Sequence, residues 1–244
     1  MATHHRIPVD SGDELDAVAH AASSDAWLVF CHGFVSDKSG SYEGRCRRAA
    51  DEGYNAVRFD FRGCGDSDGA FEDQTLSTRI DDLGAVVDYF GAETYAVFGS
   101  SFGAKVALHA AVADERLGAV AGRAPVTLNR SFDEVRAVVE REGRFQYDTG
   151  HTVDERFVDD LATYPFDQVA ATLDVPVALF HGDADRRVPL SDSLDAVAAL
   201  ETGVLLQTFP GEGHRFSEAA ESRLRRQLFD WLALEDIGQV DRTR

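Results

Sequence analysis

Ala96-Val97-Phe98-Gly99-Ser100-Ser101-Phe102-Gly103-Ala104-Lys105 runs from an apolar segment into Gly-x-Ser-x-Gly and straight on into helix-forming residues. That order is the sequence form of a strand, a sharp turn and a helix. Only Gly99, Ser101 and Gly103 fill the fixed positions. A serine at the centre of such a turn sits in strained backbone that lifts its Oγ above the sheet. Glycines two residues to either side remove the side chains that would collide there. Ser101 is therefore the candidate nucleophile. The plain alternative is a glycine-rich turn with an incidental serine, and the rest of the chain has to decide between them.

Outward from this turn the same alternation repeats. Upstream, residues 6–10 and 15–22 flank Ser11-Gly12-Asp13 and read as a hairpin. Residues 26–31 form an apolar run that suits a strand buried on both faces, ending in His32-Gly33-Phe34. A helix is expected at 41–52 and a strand at 55–61, the latter ending in Arg62-Gly63-Cys64-Gly65-Asp66-Ser67. Thr75 opens a helix with Ile80, Leu83, Val86, Val87 and Phe90 on one face. Downstream, a helix at 102–113 and a strand at 117–126 follow. Strands at 175–180 and 204–209, with helices at 191–200 and 217–232, complete the pattern, and residues 235–244 read as a polar, frayed tail. Apolar strands alternating with amphipathic helices imply βαβ units and a parallel sheet, hence an α/β fold.

Residues 127–173 break the rhythm and are too long for a plain connection. Two spacings there read as helix starts, Ser131-x-x-Glu134 and Thr152-x-x-Glu155, with a turn or hairpin between 144 and 150. The segment is too short to bury a core of its own, so it is expected to be a lid on a single domain spanning 1–244.

The 244 residues include 24 basic and 43 acidic ones, for a net charge of −19. Lys38 and Lys105 are the only lysines. Nucleic acid and anionic membranes are excluded as partners, because phosphate binding needs clustered positive charge. No apolar run approaches the roughly 20 residues that cross a bilayer, and the N-terminal residues lack the apolar stretch of a secretion signal, so a cytoplasmic location is expected. Cys31, Cys46 and Cys64 have neither metal-like spacing nor a secreted context, so no disulfide framework is expected. A small-molecule partner is expected, homodimerisation is left open, and no cofactor or metal is called for. The acidic, almost lysine-free composition resembles that of proteins from salt-loving archaea, where excess carboxylates keep the surface hydrated at high salt.

A serine hydroxyl needs a neutral imidazole to take its proton and a carboxylate to orient that imidazole. Asp185, in the loop after the 175–180 strand, and His214, after the 204–209 strand, lie at strand ends where parallel sheets place their chemistry. Asp183 is the rival acid. His32, His109, His151 and His181 are rival bases, weaker because His109 falls mid-helix, His151 in the lid, and His32 and His181 before glycines at strand ends. Backbone N–H groups of Phe34 and Phe102 are the candidate oxyanion hole. A thiol such as Cys64 in a glycine-rich turn could be redox active, but a structural role is expected for it.

The motifs His32-Gly33-Phe34, Arg62-Gly63-x-Gly65-Asp66-Ser67, Gly99-x-Ser101-x-Gly103, His181-Gly182-x-x-Asp185 and Gly213-His214 together resemble the α/β-hydrolase superfamily. Within it they are most similar to small carboxylesterases of the cinnamoyl and feruloyl esterase type and to serine aminopeptidase-like hydrolases. The resemblance spans about residues 26–232. It implies an eight-stranded, mostly parallel sheet with helices on both faces, a short lid after the sixth strand, and ester hydrolysis through an acyl-enzyme. Cys64 stands where relatives commonly have histidine in the Arg-Gly-His-Gly turn, and Ser100 and Phe102 where they often have histidine and glutamine. Thioesterase, aminoacyl amidase and acyltransferase chemistry use the same triad. A non-catalytic ligand-binding protein on this fold is the reading from another class. Phe132, Phe145, Tyr147, Phe157, Tyr164 and Phe166 supply aromatic side chains to the lid, to line a pocket or to pack it onto the domain.

Overall fold

The computed structural model describes residues 1–235; beyond Glu235 the expected frayed tail lies outside the described residues. The chain begins with the antiparallel hairpin of β1 (Ala2–Pro8) and β2 (Glu14–His20), longer at its N-terminal end than its sequence suggests. β3 (Trp27–Cys31), α1 (Ser41–Asp51), β4 (Asn55–Phe59), α2 (Leu76–Phe90), β5 (Tyr95–Ser100), α3 (Phe102–Ala113) and β6 (Leu117–Arg123) then alternate as expected. The 127–173 segment holds α4 (Asp133–Glu142), β7 (Arg144–Gln146), β8 (Thr152–Asp154), α5 (Glu155–Ala162) and α6 (Phe166–Thr172). The series closes with β9 (Val177–Gly182), α7 (Leu190–Ala199), β10 (Val204–Phe209) and α8 (Glu218–Leu234).

Eight strands form one sheet in the order β1-β2-β4-β3-β5-β6-β9-β10. Every pair from β4 across to β10 is parallel, while β1–β2 and β2–β4 are antiparallel. Side-chain alternation sends Val29, Cys31 and Val97 to the face covered by α2, α3 and α7. Leu28, Phe30 and Phe98 go to the face covered by α1 and α8. All six residues of β5 are buried, which is why its sequence reads as a continuous apolar run rather than an alternating one. The chain passes from β3 out to β4 and back across to β5, so connections diverge at the carboxyl ends of β3 and β5. Such a switch point opens the crevice in which α/β sheets bind ligands.

Both expected capping boxes in the inserted segment are absent. Ser131 instead donates its Oγ to the buried Asp192 at 3.2 Å, and α4 starts after Phe132 without a side-chain cap. Thr152 lies within β8, and Asp154 caps α5 by accepting from Arg156 N at 3.0 Å. A reciprocal box does form on α2, between Thr75 and Thr78. The spacing alone did not distinguish a capping serine from one drawn to a buried carboxylate on another helix. The 117–126 strand ends early, at Arg123, because Ala124 turns the chain at a positive φ of 45°.

The inserted segment is tied to the rest by directed bonds. Asp160 accepts from the Leu76 and Ser77 amides at the start of α2, at 2.8 and 3.1 Å. Arg130 pairs with Asp192 and Asp195 on α7, and Arg156 with Asp73. Arg136 and Arg141 also pair with carboxylates, so of the five arginines in this segment only Arg144 has no acidic partner among the described residues. Phe166 is buried, and Tyr164 bonds Ser77 while stacking on His109, so these two aromatics serve packing.

Candidate active site

Three of the sheet's carboxyl ends meet above β5. Ser101 caps α3 with φ at 52° and ψ at −115°, a conformation that costs an L-residue about 1–3 kcal/mol. The end of β6 holds it there: Ser101 N donates to Arg123 O at 2.9 Å, and Val126 N donates to Ser101 O at 3.1 Å. Gly103 packs so tightly on β3 that a Cβ would stand 2.5 Å from the His32 carbonyl oxygen, and a Cβ on Gly99 would fall inside the Gly103-Ala104 backbone. The glycine frame is therefore set by close backbone approach on both sides of the serine.

His214 lies in the loop after β10. Its Nε2 is 3.1 Å from Ser101 Oγ, and its Nδ1 is 2.8 Å from Asp185 Oδ2. A carboxylate accepts only, so Nδ1 carries the proton, and Nε2 is left free to accept from the serine hydroxyl. The loops that carry Asp185 and His214 are laced together. Ala184 N donates to Glu212 O at 3.0 Å, and the Glu212-Gly213 backbone rests directly on Gly182, where a side chain would not fit.

Asp185 is buried, which pushes its carboxyl up. Hydrogen bonds from His181 and His214, the electrostatic attraction of His214, and the Val188 amide outweigh burial and hold it well below the usual carboxylate range. Its second oxygen accepts from the Arg187 and Val188 amides at 2.8 and 3.1 Å. Asp183 is exposed and bonds the Gly211 amide, far from the imidazole in role, so the structure brings Asp185 and not Asp183 to His214.

The rival histidines have other partners. His32 is fully buried, donating from Nδ1 to Gly33 O at 2.7 Å and accepting from Phe61 N at 3.1 Å. His181 bonds Ser193 Oγ and Val188 O and lies 3.4 Å from Asp185, a supporting contact that its sequence position did not reveal. His151 pairs with Asp148, and His109 lies 3.3 Å from Lys105 Nζ. Burial, aided by Arg79 for His32 and by Lys105 for His109, lowers both pKa values from 6.5 to about 3. Both imidazoles are neutral when folded but protonated in the unfolded chain below about pH 6.5. The unfolded state then binds more protons, so stability is present above pH 6.5 and falls on acidification, by up to about 1.4 kcal/mol per pH unit for each histidine. Denaturant midpoints measured from pH 7 to pH 4 should show this decline, and His109→Gln should flatten it; a pH-independent midpoint would contradict it.

The Phe34 and Phe102 amides have no protein acceptor among the described residues. Phe102 begins α3, where the helix dipole favours an anion. Gly33, just before Phe34, lies against Ser101: a Cβ there would touch Ser101 Cβ at 3.7 Å. The rings of Phe34, Phe71, Phe102, Phe132, Tyr147 and Phe157 form one cluster around Phe34 beside this loop, with centroids 4.9 to 5.6 Å from that of Phe34. Five of these rings are buried in the core, and Tyr147 packs against it partly buried.

The glycine-rich turn after β4 has a structural job. Lys38 Nζ is held by Asp16, Asp60 and Asp66 at 2.8, 2.6 and 2.9 Å, so these carboxylates converge on an ammonium of the chain itself. A surface cavity of about 370 Å³ lies here, bordered by Lys38, Arg58 and Asp60, and contains none of the three site residues. Cys64 is buried in the turn. A basic group is near: Arg79 Nη2 lies 3.8 Å from its Sγ, yet burial still pushes the thiol up. All three cysteines are free and buried.

Residues 41–235 match the prolyl oligopeptidase family. The chain belongs to this family. It is an enzyme of the α/β-hydrolase superfamily and a hydrolase. A mitochondrial palmitoyl-protein thioesterase of Homo sapiens, ABHD10, is 27% identical over 217 residues, covering 81% of this chain and 69% of the relative. Mouse α/β-hydrolase domain-containing protein 10 superposes with a TM-score of 0.85 at 20% identity, covering 95% of this chain and 99% of that one. Est1E of Butyrivibrio proteoclasticus, solved with ferulic acid bound, gives 0.82 at 20% identity, covering 95% and 98%. No helix among the described residues of this family member is long and apolar enough to cross a membrane.

Proposed function

We propose that the chain is a cofactor-free serine carboxylesterase-type hydrolase acting through an acyl-enzyme. The unbroken relay Asp185–His214–Ser101, at 2.8 and 3.1 Å, carries this reading. Ser101 Oγ attacks the ester carbonyl carbon while His214 Nε2 takes the hydroxyl proton. The carbonyl oxygen becomes an oxyanion facing the Phe34 and Phe102 amides. Collapse of the tetrahedral intermediate breaks the bond to the alcohol, which leaves with the proton from His214. Water, deprotonated by His214, then attacks the acyl carbon and releases acid and Ser101. The carboxylate of Asp185 stays ionised throughout and holds the imidazole in its Nδ1–H tautomer.

Residues 127–173 serve in this reading as a lid whose rings Phe132, Tyr147 and Phe157 border the acyl side of the site. Thioester hydrolysis is the second reading, favoured by likeness to a relative named a palmitoyl-protein thioesterase. A matched panel of a medium-chain ester, the corresponding thioester and an aminoacyl amide tests both. The ester reading expects kcat/KM highest for the ester; a preference for the thioester or amide of tenfold or more would reassign the reaction. Tight retention of the ligand without turnover would instead mean a binding protein.

We also propose adaptation to high salt. The net charge of −19 supports it, as does burial of both lysines, which leaves arginine as the exposed strong cation. Screening of carboxylate repulsion should raise the unfolding midpoint with KCl concentration. Maximal stability in dilute buffer would contradict this.

A further inference from the structure

Arg79, on α2, is fully buried, although none of the carboxylates hydrogen-bonds it among the described residues. A guanidinium keeps its charge at any pH a protein survives. An isolated buried charge is costly, and such groups are normally paired. Here every polar partner is neutral. Nε donates to Gln74 Oε1 at 2.6 Å, Nη2 to Phe34 O at 2.8 Å, and Nη1 to Gly33 O at 3.4 Å. Three aromatic faces complete its surroundings, with Phe34, Phe61 and Phe102 centroids 5.0, 4.8 and 5.3 Å from the guanidinium carbon.

Two of the four hydrogen-bonded partners of Arg79, Cys64 Sγ being the fourth, belong to the loop that offers the Phe34 amide. The Gly33 carbonyl and the Phe34 N–H are the two ends of one peptide unit, which is trans and therefore points them in opposite directions. That carbonyl accepts from His32 Nδ1 at 2.7 Å as well as from Arg79. Donors fixed on the carbonyl side settle which way the N–H faces, and they withdraw electron density from the same amide, which makes it a stronger donor. The charge also lies against the rings of Phe34 and Phe102, the two residues whose amides are the candidate oxyanion donors. Its hydrogen-bond partners are neutral; the nearby buried carboxylate of Asp82 acts on it through space and is itself bonded to Arg62.

We infer that Arg79 is a positioning residue for the oxyanion hole: its buried charge orients and polarises the Gly33–Phe34 peptide, whose N–H then donates more strongly as negative charge develops on the substrate oxygen. This rests on the ester-hydrolase reading above. An interaction that strengthens only as the transition state forms lowers kcat and leaves ground-state binding alone when it is removed. A mere tether between α2 and the loop would affect stability and KM without that selectivity.

The test compares wild type with Arg79→Met, Arg79→Gln and Arg79→Lys, using a small chromogenic ester and a boronic acid that forms a tetrahedral anion on the serine. Folding is checked by thermal unfolding. Arg79→Met and Arg79→Gln should each lose about 10²-fold in kcat, as expected for one oxyanion-hole donor. Boronate affinity should fall in parallel, with KM changed less than about threefold. Arg79→Lys keeps a charge that can still reach the Phe34 carbonyl, and should recover at least about tenfold of that loss. Folded Met or Gln variants with wild-type kcat and boronate affinity would overturn the inference, as would a Lys variant as impaired as Gln. Should Arg79→Met not fold, the ratio of Lys to Gln activity decides: about tenfold supports the inference, and equality overturns it. Absence of ester turnover in wild type would instead bring down the underlying reading, whereas wild-type turnover matched by Arg79→Gln brings down this inference alone.

Discussion

Ser101→Ala and His214→Ala are each expected to lower kcat for ester hydrolysis by about 10⁴- to 10⁶-fold, because nucleophile and base act as one unit and removing either disables both. The double variant should therefore be little worse than either single one. Asp185→Asn should cost about 10⁴-fold, since an amide would present a donor to His214 Nδ1 and reverse the tautomer. None of these changes should alter the fold much. Ser101 holds its strained φ of 52° through backbone bonds to Arg123 and Val126, which an alanine keeps. Stopped assays with a chromogenic ester, with circular dichroism as the folding control, check the set. Simple additivity of Ser101→Ala and His214→Ala would argue against a shared relay.

The second large effect concerns packing. Gly103→Ala should lower stability by about 1–3 kcal/mol, because its Cβ would intrude 2.5 Å from the His32 carbonyl oxygen and closer still to that of Cys31. Neither neighbour is a flexible side chain: both are backbone at the end of β3, so α3 has to move away from the sheet. That shift also separates Phe102 from the Phe34 loop, and a displacement near 1 Å can cost about 10²-fold in rate. A lower melting temperature, by about 3–10 °C at this chain length, should thus accompany lost activity. Gly84→Ala on α2 is the control. Nothing lies within 4 Å of its Cβ position, so helix propensity should make it neutral or stabilising by up to about 1 kcal/mol. Equal behaviour of the two variants would refute the packing argument.

The parts of the fold that obey local rules were legible from residues. β3 and β5 are buried on both faces and so appear as unbroken apolar runs, and the glycines around Ser101 declare the close approach of α3 to β3. Ser101, Asp185 and His214 could be singled out because strand ends collect catalytic groups in parallel sheets. What the sequence hid depends on distant partners. Ser131 looked like a helix cap and is a ligand of Asp192, 61 positions away. The short helix α6 was missed because it is brief and lacks a side-chain cap. His181 looked like a loop anchor, yet it also touches Asp185. Arg79 left a trace that was not followed: it falls on the apolar stripe of α2, beside Leu76, Leu83 and Val86, where a charge has to be buried. No spacing rule says that its partners are the carbonyls of residues 33 and 34.

The most direct test of the central claim is intact-protein mass spectrometry after exposure to a fluorophosphonate, with the adduct mapped by peptide fragmentation. The hydrogen-bonded relay from Asp185 through His214 predicts a single stoichiometric adduct on Ser101, abolished in Ser101→Ala and slowed in His214→Ala. An unlabelled wild-type protein, or an adduct that persists in Ser101→Ala, would contradict it.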